Sequence, residues 1–282
     1  MDYLALTKPR VVVMVLITTS VGFYLASGEQ LNWSLLCHTL MGVALASGGT
    51  LALNQYLERD LDARMLRTKE RPLPEGRLQP NEALGFGVTI TAAGLIYLSG
   101  LVNPLSGLIT AISVGSYLFL YTPLKQKTPF CVMIGALPGA LPPVTGWVAA
   151  SGQLALEAWV LFAILFLWQI PHSLSIAVLY REDYARANFQ LLPVVEPDGI
   201  STGRQIVVHS LALLGVGLLP TTLQLAGTVY FITAFVLGGA MLICGGLLAV
   251  SYSSAAARRL LLASLIYLPA LLVVMAVDKV RP

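Results

Sequence analysis

The sequence predicts an all-α integral membrane protein of nine transmembrane helices, and three observations lead there. Of 282 residues, 56% are hydrophobic and only 11% charged, against about 25% charged in soluble domains. Mean hydropathy is +0.78. Apolar runs long enough to cross a bilayer recur along the whole chain. When the chain is threaded back and forth through these runs, nearly all the basic residues fall on one side.

In order, the first run is 10–28, preceded by Lys8 and Arg10. It has the length of a full span, longer than the apolar region of a signal peptide, so an uncleaved helix is expected. The second, 34–57, carries Ala46-Ser47-Gly48-Gly49, small residues that permit close helix approach without a water-driven core. The third and fourth are 83–102 and 104–121, and the fifth is 130–150. The sixth, 156–180, contains Pro171 and is expected to bend there. The seventh, 204–219, is short. The eighth, 226–250, holds Gly238-Gly239 and Gly245-Gly246, and the ninth is 259–277. The chain reads as a single domain over 1–282, with no soluble extramembrane domain and no low-complexity tract.

With nine spans, one side receives Lys8, Arg10, Arg59, Arg64, Arg67, Lys69, Arg71, Arg77, Lys125, Lys127, Arg181, Arg186, Arg204, Arg258 and Arg259. The other receives only Lys279 and Arg281. The positive-inside rule then places the N-terminus and the 58–82, 122–129, 181–203 and 251–258 connections in the cytoplasm, and the C-terminus outside. A net charge of +3 is too small to argue for nucleic acid. Cys37, Cys131 and Cys244 lie singly in apolar runs and read as small packing residues, not as disulfides or metal ligands.

Residues 54–72, NQYLERDLDARMLRTKERP, are a charge-dense stretch in this apolar chain. Asn54, Glu58 and Asp62 are spaced i, i+4, i+8, which on a helix makes one polar ridge drifting about 40° per step. Such residues at a span's end are either interfacial anchors and ion pairs or a site for divalent cations. Asn54 favours the site, because it lies about a turn inside the apolar run. Asp60 fits the anchor reading, pointing off the ridge four residues before Arg64. Arg64, Arg67, Lys69 and Arg71 follow, a pattern suited to a phosphorylated substrate.

A second cluster closes the sixth span on the same side: Tyr180, Arg181, Glu182, Asp183, Tyr184, Arg186 and Asn188. Two acidic helix ends on one face can close around a diphosphate and its metal, since magnesium takes one or two carboxylates and leaves its other positions to water and phosphate. A third polar end, residues 121–127, brings Tyr121, Lys125 and Lys127; the lysines are either topogenic or placed to neutralise a leaving diphosphate. A pore or proton-coupled transporter would place its ionisable groups near the midplane in two corresponding halves. Here the acids cluster at helix ends, which favours an enzyme. His172 follows Pro171 and, if the sixth helix persists, lies about 16 Å deeper than Asp183 on the same wall. It reads either as a helix–helix hydrogen-bonding histidine or as a substrate contact. His38 and His209 read as structural.

Several segments, in order, carry a resemblance: TKPRV (7–11), NQYLERDLDARMLRTKERPL (54–73), YTPLKQKT (121–128), GALPGALPPVTGWVA (135–149), WQIPH (168–172) and DYARANFQLLPVV (183–195). Together they resemble the haem branch of the UbiA superfamily of intramembrane prenyltransferases, the protohaem IX farnesyltransferases. The likeness runs from residue 7 to about 206, and the last three spans match in hydropathy alone. It implies nine helices bundled around a central cavity opening to the cytoplasm. It also implies transfer of the farnesyl group of farnesyl diphosphate to a vinyl group of haem B, giving haem O and diphosphate. The superfamily's first acidic motif, NxxxDxxxD, maps onto Asn54, Glu58 and Asp62, with Glu at the middle position. The second, usually richer in aspartate, retains Asp183 with Glu182 beside it. Ser173 and Gln190 stand where the haem branch is expected to carry Phe and Pro.

On this resemblance Asn54, Glu58, Asp62 and Asp183 hold Mg²⁺, and Lys125, Arg67 and Arg71 stabilise the leaving diphosphate. Lys69, Tyr121 and Tyr180 complete the substrate contacts, and His172 is the candidate haem contact. The implied partners are the lipid bilayer and, downstream, a haem A synthase or terminal-oxidase assembly. A chain this short without an Arg/Ser-rich leader suggests a prokaryotic cytoplasmic membrane. The rival readings are a prenyltransferase for an aromatic or quinone precursor, and a haem or prenyl-lipid transporter.

Overall fold

A computed structural model describes residues 1–280. Among them, nine helices are long and apolar enough to cross a membrane: Pro9–Ala26, Trp33–Asp62, Pro80–Leu101, Pro104–Leu124, Cys131–Ser151, Leu156–Leu179, Ile200–Thr222, Thr228–Ser251 and Ser254–Val277. They correspond one for one to the expected runs. Arg281, counted above on the sparsely charged side, lies outside the described residues.

Short polar residues start several spans. Asn32 accepts from Leu35 N–H at 3.0 Å, Asn103 from Ser106 N–H at 2.8 Å and Ser253 from Ala256 N–H at 3.3 Å. Each such cap satisfies a donor that the first helical turn leaves free. Gln79 and Glu82 form a reciprocal box ahead of the third span, with Pro80 at its first position.

Three departures from regularity shape the interior. The second span runs to Asp62, five residues beyond the expected 57, so the acidic ridge stays helical to its end. The fourth widens into a π-turn over Ser116–Tyr121. Pro123 follows, and in a regular α-turn its ring would strike the Phe119 carbonyl and it could offer that carbonyl no N–H; the wider turn relieves both conflicts. The fifth span is two helices, Cys131–Ala140 and Pro142–Ser151, broken at Leu141 where Pro142 cannot donate to the preceding turn.

Packing relies on close backbone approach. The second and third spans form one intimate pair: a Cβ on Gly94 would stand 2.4 Å from Ala46 N. The second half of the fifth span packs equally tightly on the first, where a Cβ on Gly146 would meet Thr19 O at 1.9 Å. The first half of the fifth span packs on the sixth, and the seventh, eighth and ninth complete the far side. The three cysteines are unpaired. Cys131 is buried and Cys244 half-buried, but Cys37 faces outward, so the packing expectation fails for Cys37.

Candidate active site

The second span delivers Asn54, Glu58 and Asp62 in one line, and all three are buried, at 1%, 5% and 1% exposure. Buried carboxylates are tolerated only when paired or ligated, and here each ridge residue meets a cation from a different segment through one oxygen. Lys8 Nζ donates to Asn54 Oδ1 at 3.2 Å, Lys125 Nζ to Glu58 Oε1 at 2.7 Å and Arg71 Nη1 to Asp62 Oδ2 at 2.6 Å. Asn54 Nδ2 also donates to Thr122 Oγ1 at 3.2 Å, tying the ridge to the fourth span.

Lys8 is held in place by unusual backbone. The short helix Asp2–Leu6 is anchored where Gln55 Nε2 donates to the Leu6 carbonyl at 2.7 Å. Lys8 then adopts a left-handed conformation, φ 48°, immediately before Pro9. That conformation is costly for a lysine, and it aims the chain's first cation at the ridge. Burial, reinforced by Arg71 and Lys125, lowers the Lys8 pKa to about 7 against the pull of Glu58 and Asp62. Burial is the largest single influence on Lys125 and lowers it, but Glu58, Tyr121 and Tyr117 together outweigh it and hold Lys125 well above its ordinary value.

The second acidic cluster sits against the first. Asp183 is buried, and its Oδ1 accepts from Leu66 N–H at 3.2 Å and from Arg186 Nη1 at 2.7 Å. Arg67, from the same turn-rich segment as Leu66, lies over the rings of Tyr180 and Tyr184 at 5.3 and 4.6 Å. Lys125 lies over Tyr121 at 4.5 Å, and its carbonyl accepts from Gln190 N–H at 2.7 Å. The ends of the second, fourth and sixth spans therefore meet in one place. Beyond them a cavity of about 280 Å³ runs between the spans, with Thr50, Tyr117, Tyr121, Gly139, Gln169 and Ser173 on its walls.

Among the described residues no three His, Cys, Asp or Glu side chains already form a metal cluster. The donors still suit Mg²⁺: one amide oxygen and three carboxylates, all hard oxygen ligands. The cations that now occupy those oxygens fit the same picture. Lys8, Arg71, Lys125 and Arg186 supply the positive charge that balances the carboxylates.

The profile of the UbiA prenyltransferase family matches residues 15–276. The chain belongs to that family. It is 46% identical to the protoheme IX farnesyltransferase of Solibacter usitatus, over 99% of this chain and 98% of the relative. It is 44% identical to the protoheme IX farnesyltransferase of Koribacter versatilis, over 99% and 93%. Among solved folds it is similar to a digeranylgeranylglyceryl phosphate synthase, TM-score 0.83 at 19% identity, covering 98% of this chain and 97% of that one. It is also similar to a UbiA homolog from Archaeoglobus fulgidus bound to GPP and Mg²⁺, TM-score 0.70 at 16% identity, covering 98% and 100%.

As a UbiA family member the chain places its expected site residues unevenly. Asn54, Glu58, Asp62, Asp183, Lys125, Arg71, Tyr121, Tyr180 and Arg67 converge. Lys69 is exposed and outside the cluster. Asp60 is also exposed, but its ion partner is Arg59 at 3.7 Å, not Arg64, because the helix ends at Asp62 and Arg64 is carried off the ridge. Glu182 is a surface group 3.8 Å from Arg186.

The sixth helix does not persist to Asp183. It ends at Leu179, and a separate turn, Arg181–Arg186, carries the aspartate, so the phase argument linking His172 to Asp183 fails. His172 Nδ1 instead contacts Ser264 Oγ at 2.8 Å, its ring stacks on Trp168, and the cavity face of this helix is Gln169 and Ser173. His38 pairs with Tyr97 and His209 with the Gln205 carbonyl, as structural histidines do. Sequence reasoning missed Lys8 as a site residue. Its motif, TKPRV, was the available signal, but its charge was absorbed into the topology count.

Proposed function

We propose that this protein transfers the farnesyl group of farnesyl diphosphate to a vinyl group of haem B and, with addition of one water, gives haem O and diphosphate. The observation that carries this reading is the buried ridge met by three cations, with the Asp183–Arg186 pair beside it, at the head of an apolar cavity. It occurs in a chain nearly half identical, end to end, to a protoheme IX farnesyltransferase.

Asn54, Glu58, Asp62 and Asp183 would hold Mg²⁺, which when bound neutralises diphosphate charge and weakens the allylic C–O bond. Lys125, Arg71 and Lys8 lie where they can take up charge on the departing diphosphate oxygens, a stabilisation that grows as the bond breaks. Arg67, braced on Tyr180 and Tyr184, extends that positive surface to the rim. The cavity walls exclude bulk water from the allylic cation until the vinyl π-bond attacks it. Ser264 Oγ already donates to the Leu261 carbonyl at 2.7 Å, so His172 Nδ1 serves as the donor to Ser264. That tautomer leaves the Nε2 lone pair unprotonated, on a residue beside rather than on the cavity face formed by Gln169 and Ser173. The site faces the cytoplasm, following the basic residues.

Membranes containing the protein, supplied with haem B, farnesyl diphosphate and Mg²⁺, are expected to yield haem of haem O mass. Unchanged haem together with prenylation of a quinone precursor would replace this reading with the aromatic-acceptor one. Unchanged haem with transmembrane movement of haem or prenyl lipid would replace it with transport.

A further inference from the structure

The polar groups on the cavity wall are either bonded or free, and Thr145 is bonded to Thr110 Oγ1 at 3.4 Å. Ser47, Thr50, Thr110 and Ser113 spend their protons on backbone carbonyls, at 2.6, 2.7, 2.9 and 3.0 Å. Gln169 and Ser173, one turn apart on the sixth span, make no side-chain hydrogen bond among the described residues. The tyrosine hydroxyls at 117 and 121 are likewise unpartnered, but they stand at the diphosphate end, with Tyr121 beneath Lys125.

Gln169 lies ten residues inside the helix end at Leu179, about 15 Å along the axis. That depth is near the middle of a hydrocarbon core about 30 Å thick. The Gln169 amide is only part-buried and faces the cavity, so its donors and its acceptor are open to a molecule held there. It is also pinned. A Cβ on Gly139 of the facing span would stand 2.2 Å from Gln169 Oε1 and 2.4 Å from its Nε2, so the amide lies directly against that glycine.

Building on the farnesyl-transfer reading, we propose that Gln169, with Ser173, positions the water molecule that ends the reaction. The C1–O bond of farnesyl diphosphate breaks and its electron pair leaves with the diphosphate. The vinyl π pair then forms the new C–C bond, which puts the positive charge on the carbon beside the porphyrin ring. A water lone pair closes on that carbon, and the proton the water sheds ends on the released diphosphate. Farnesyl diphosphate, haem and water thus give the alcohol and protonated diphosphate.

An amide suits this task. It supplies both an acceptor and donors, and together with the Ser173 hydroxyl it offers the two to four polar partners a buried water requires. It carries no charge to trap the cation, and a carboxylate in its place would itself capture the carbon. Without a held water the cation loses a proton from the neighbouring carbon and becomes an alkene, lighter than the alcohol by one water.

The product ratio tests this. Protein in lipid nanodiscs is given haem B, farnesyl diphosphate and Mg²⁺ in ¹⁸O-water, and the extracted haem is resolved by mass into alcohol and alkene. The unsubstituted protein is expected to give labelled alcohol. Gln169→Leu is expected to move the alcohol-to-alkene ratio toward alkene by about tenfold or more, through loss of positioning. Gly139→Ala, which retains Gln169 but pushes its amide off the wall, is expected to do the same, and it decides the matter where Gln169→Leu yields no alkylated haem. An unchanged ratio with Gly139→Ala overturns the inference, because a merely structural role lowers both products together. Failure of the unsubstituted protein to alkylate haem overturns the farnesyl-transfer reading itself.

Discussion

At the scale of single residues, the site is a set of oxygens each guarded by a cation of separate origin. Lys8 comes from the N-terminal segment, Lys125 from the end of the fourth span, Arg71 from the loop after the second and Arg186 from the turn after the sixth. Removing one partner from such a buried pair leaves an uncompensated charge, so these contacts are mutually dependent. His172 belongs to a different group, with Trp168 and Ser264. If its free Nε2 meets haem iron, His172→Ala is expected to abolish the histidine-ligated haem absorption spectrum and to weaken haem binding at least about tenfold. Retained affinity and an unchanged spectrum would assign His172 to packing alone. The ridge was legible in the sequence because i, i+4, i+8 spacing is purely local. Lys8 was not, because its role depends on a left-handed residue and a contact to Asn54 that no periodicity encodes.

At the scale of elements, prolines and glycines decide where the site residues sit. Pro123 accompanies the π-turn that sets Tyr117 and Tyr121 on the cavity wall. Pro142 splits the fifth span, and its second half then nests against the first span through Gly146. A methyl group at 146 would overlap the Thr19 carbonyl, and backbone cannot yield as a side-chain tip can. Gly146→Ala is expected to destabilise the protein by about 1–3 kcal/mol, read as a lowered midpoint of thermal unfolding in detergent. An unshifted midpoint would mean the two helices are not in contact there. All nine spans were legible from hydropathy, and the sixth ends at Leu179 where the run to 180 placed it; whether the helix carries on to Asp183 was not. Nothing in the local pattern decides between one helix and two there, and the break at Tyr180 separates them.

At the scale of the whole molecule, the site joins the two halves of the bundle. The Leu66 N–H to Asp183 bond and the Gln190 N–H to Lys125 carbonyl bond both cross from the early spans to the later ones. Orientation rests on charge, with fifteen of seventeen basic residues on the site's side. In a cysteine-free background, Gln153→Cys is expected to react in intact cells with a membrane-impermeant thiol reagent, and Lys127→Cys only after lysis. The reverse pattern would turn the site outward.

The claim on which the rest depends is that the ridge binds a metal-complexed prenyl diphosphate. Calorimetric binding of a non-hydrolysable farnesyl diphosphate analogue, with and without Mg²⁺, tests it most directly in the unsubstituted protein and in Asp62→Asn. Asp62 is the most enclosed carboxylate of the ridge and is held by Arg71 at 2.6 Å. Binding is expected to require Mg²⁺ and to be lost in Asp62→Asn, while haem affinity stays measurable in both. Equal, Mg²⁺-independent binding by the two proteins would return the ridge to the role of an interfacial anchor.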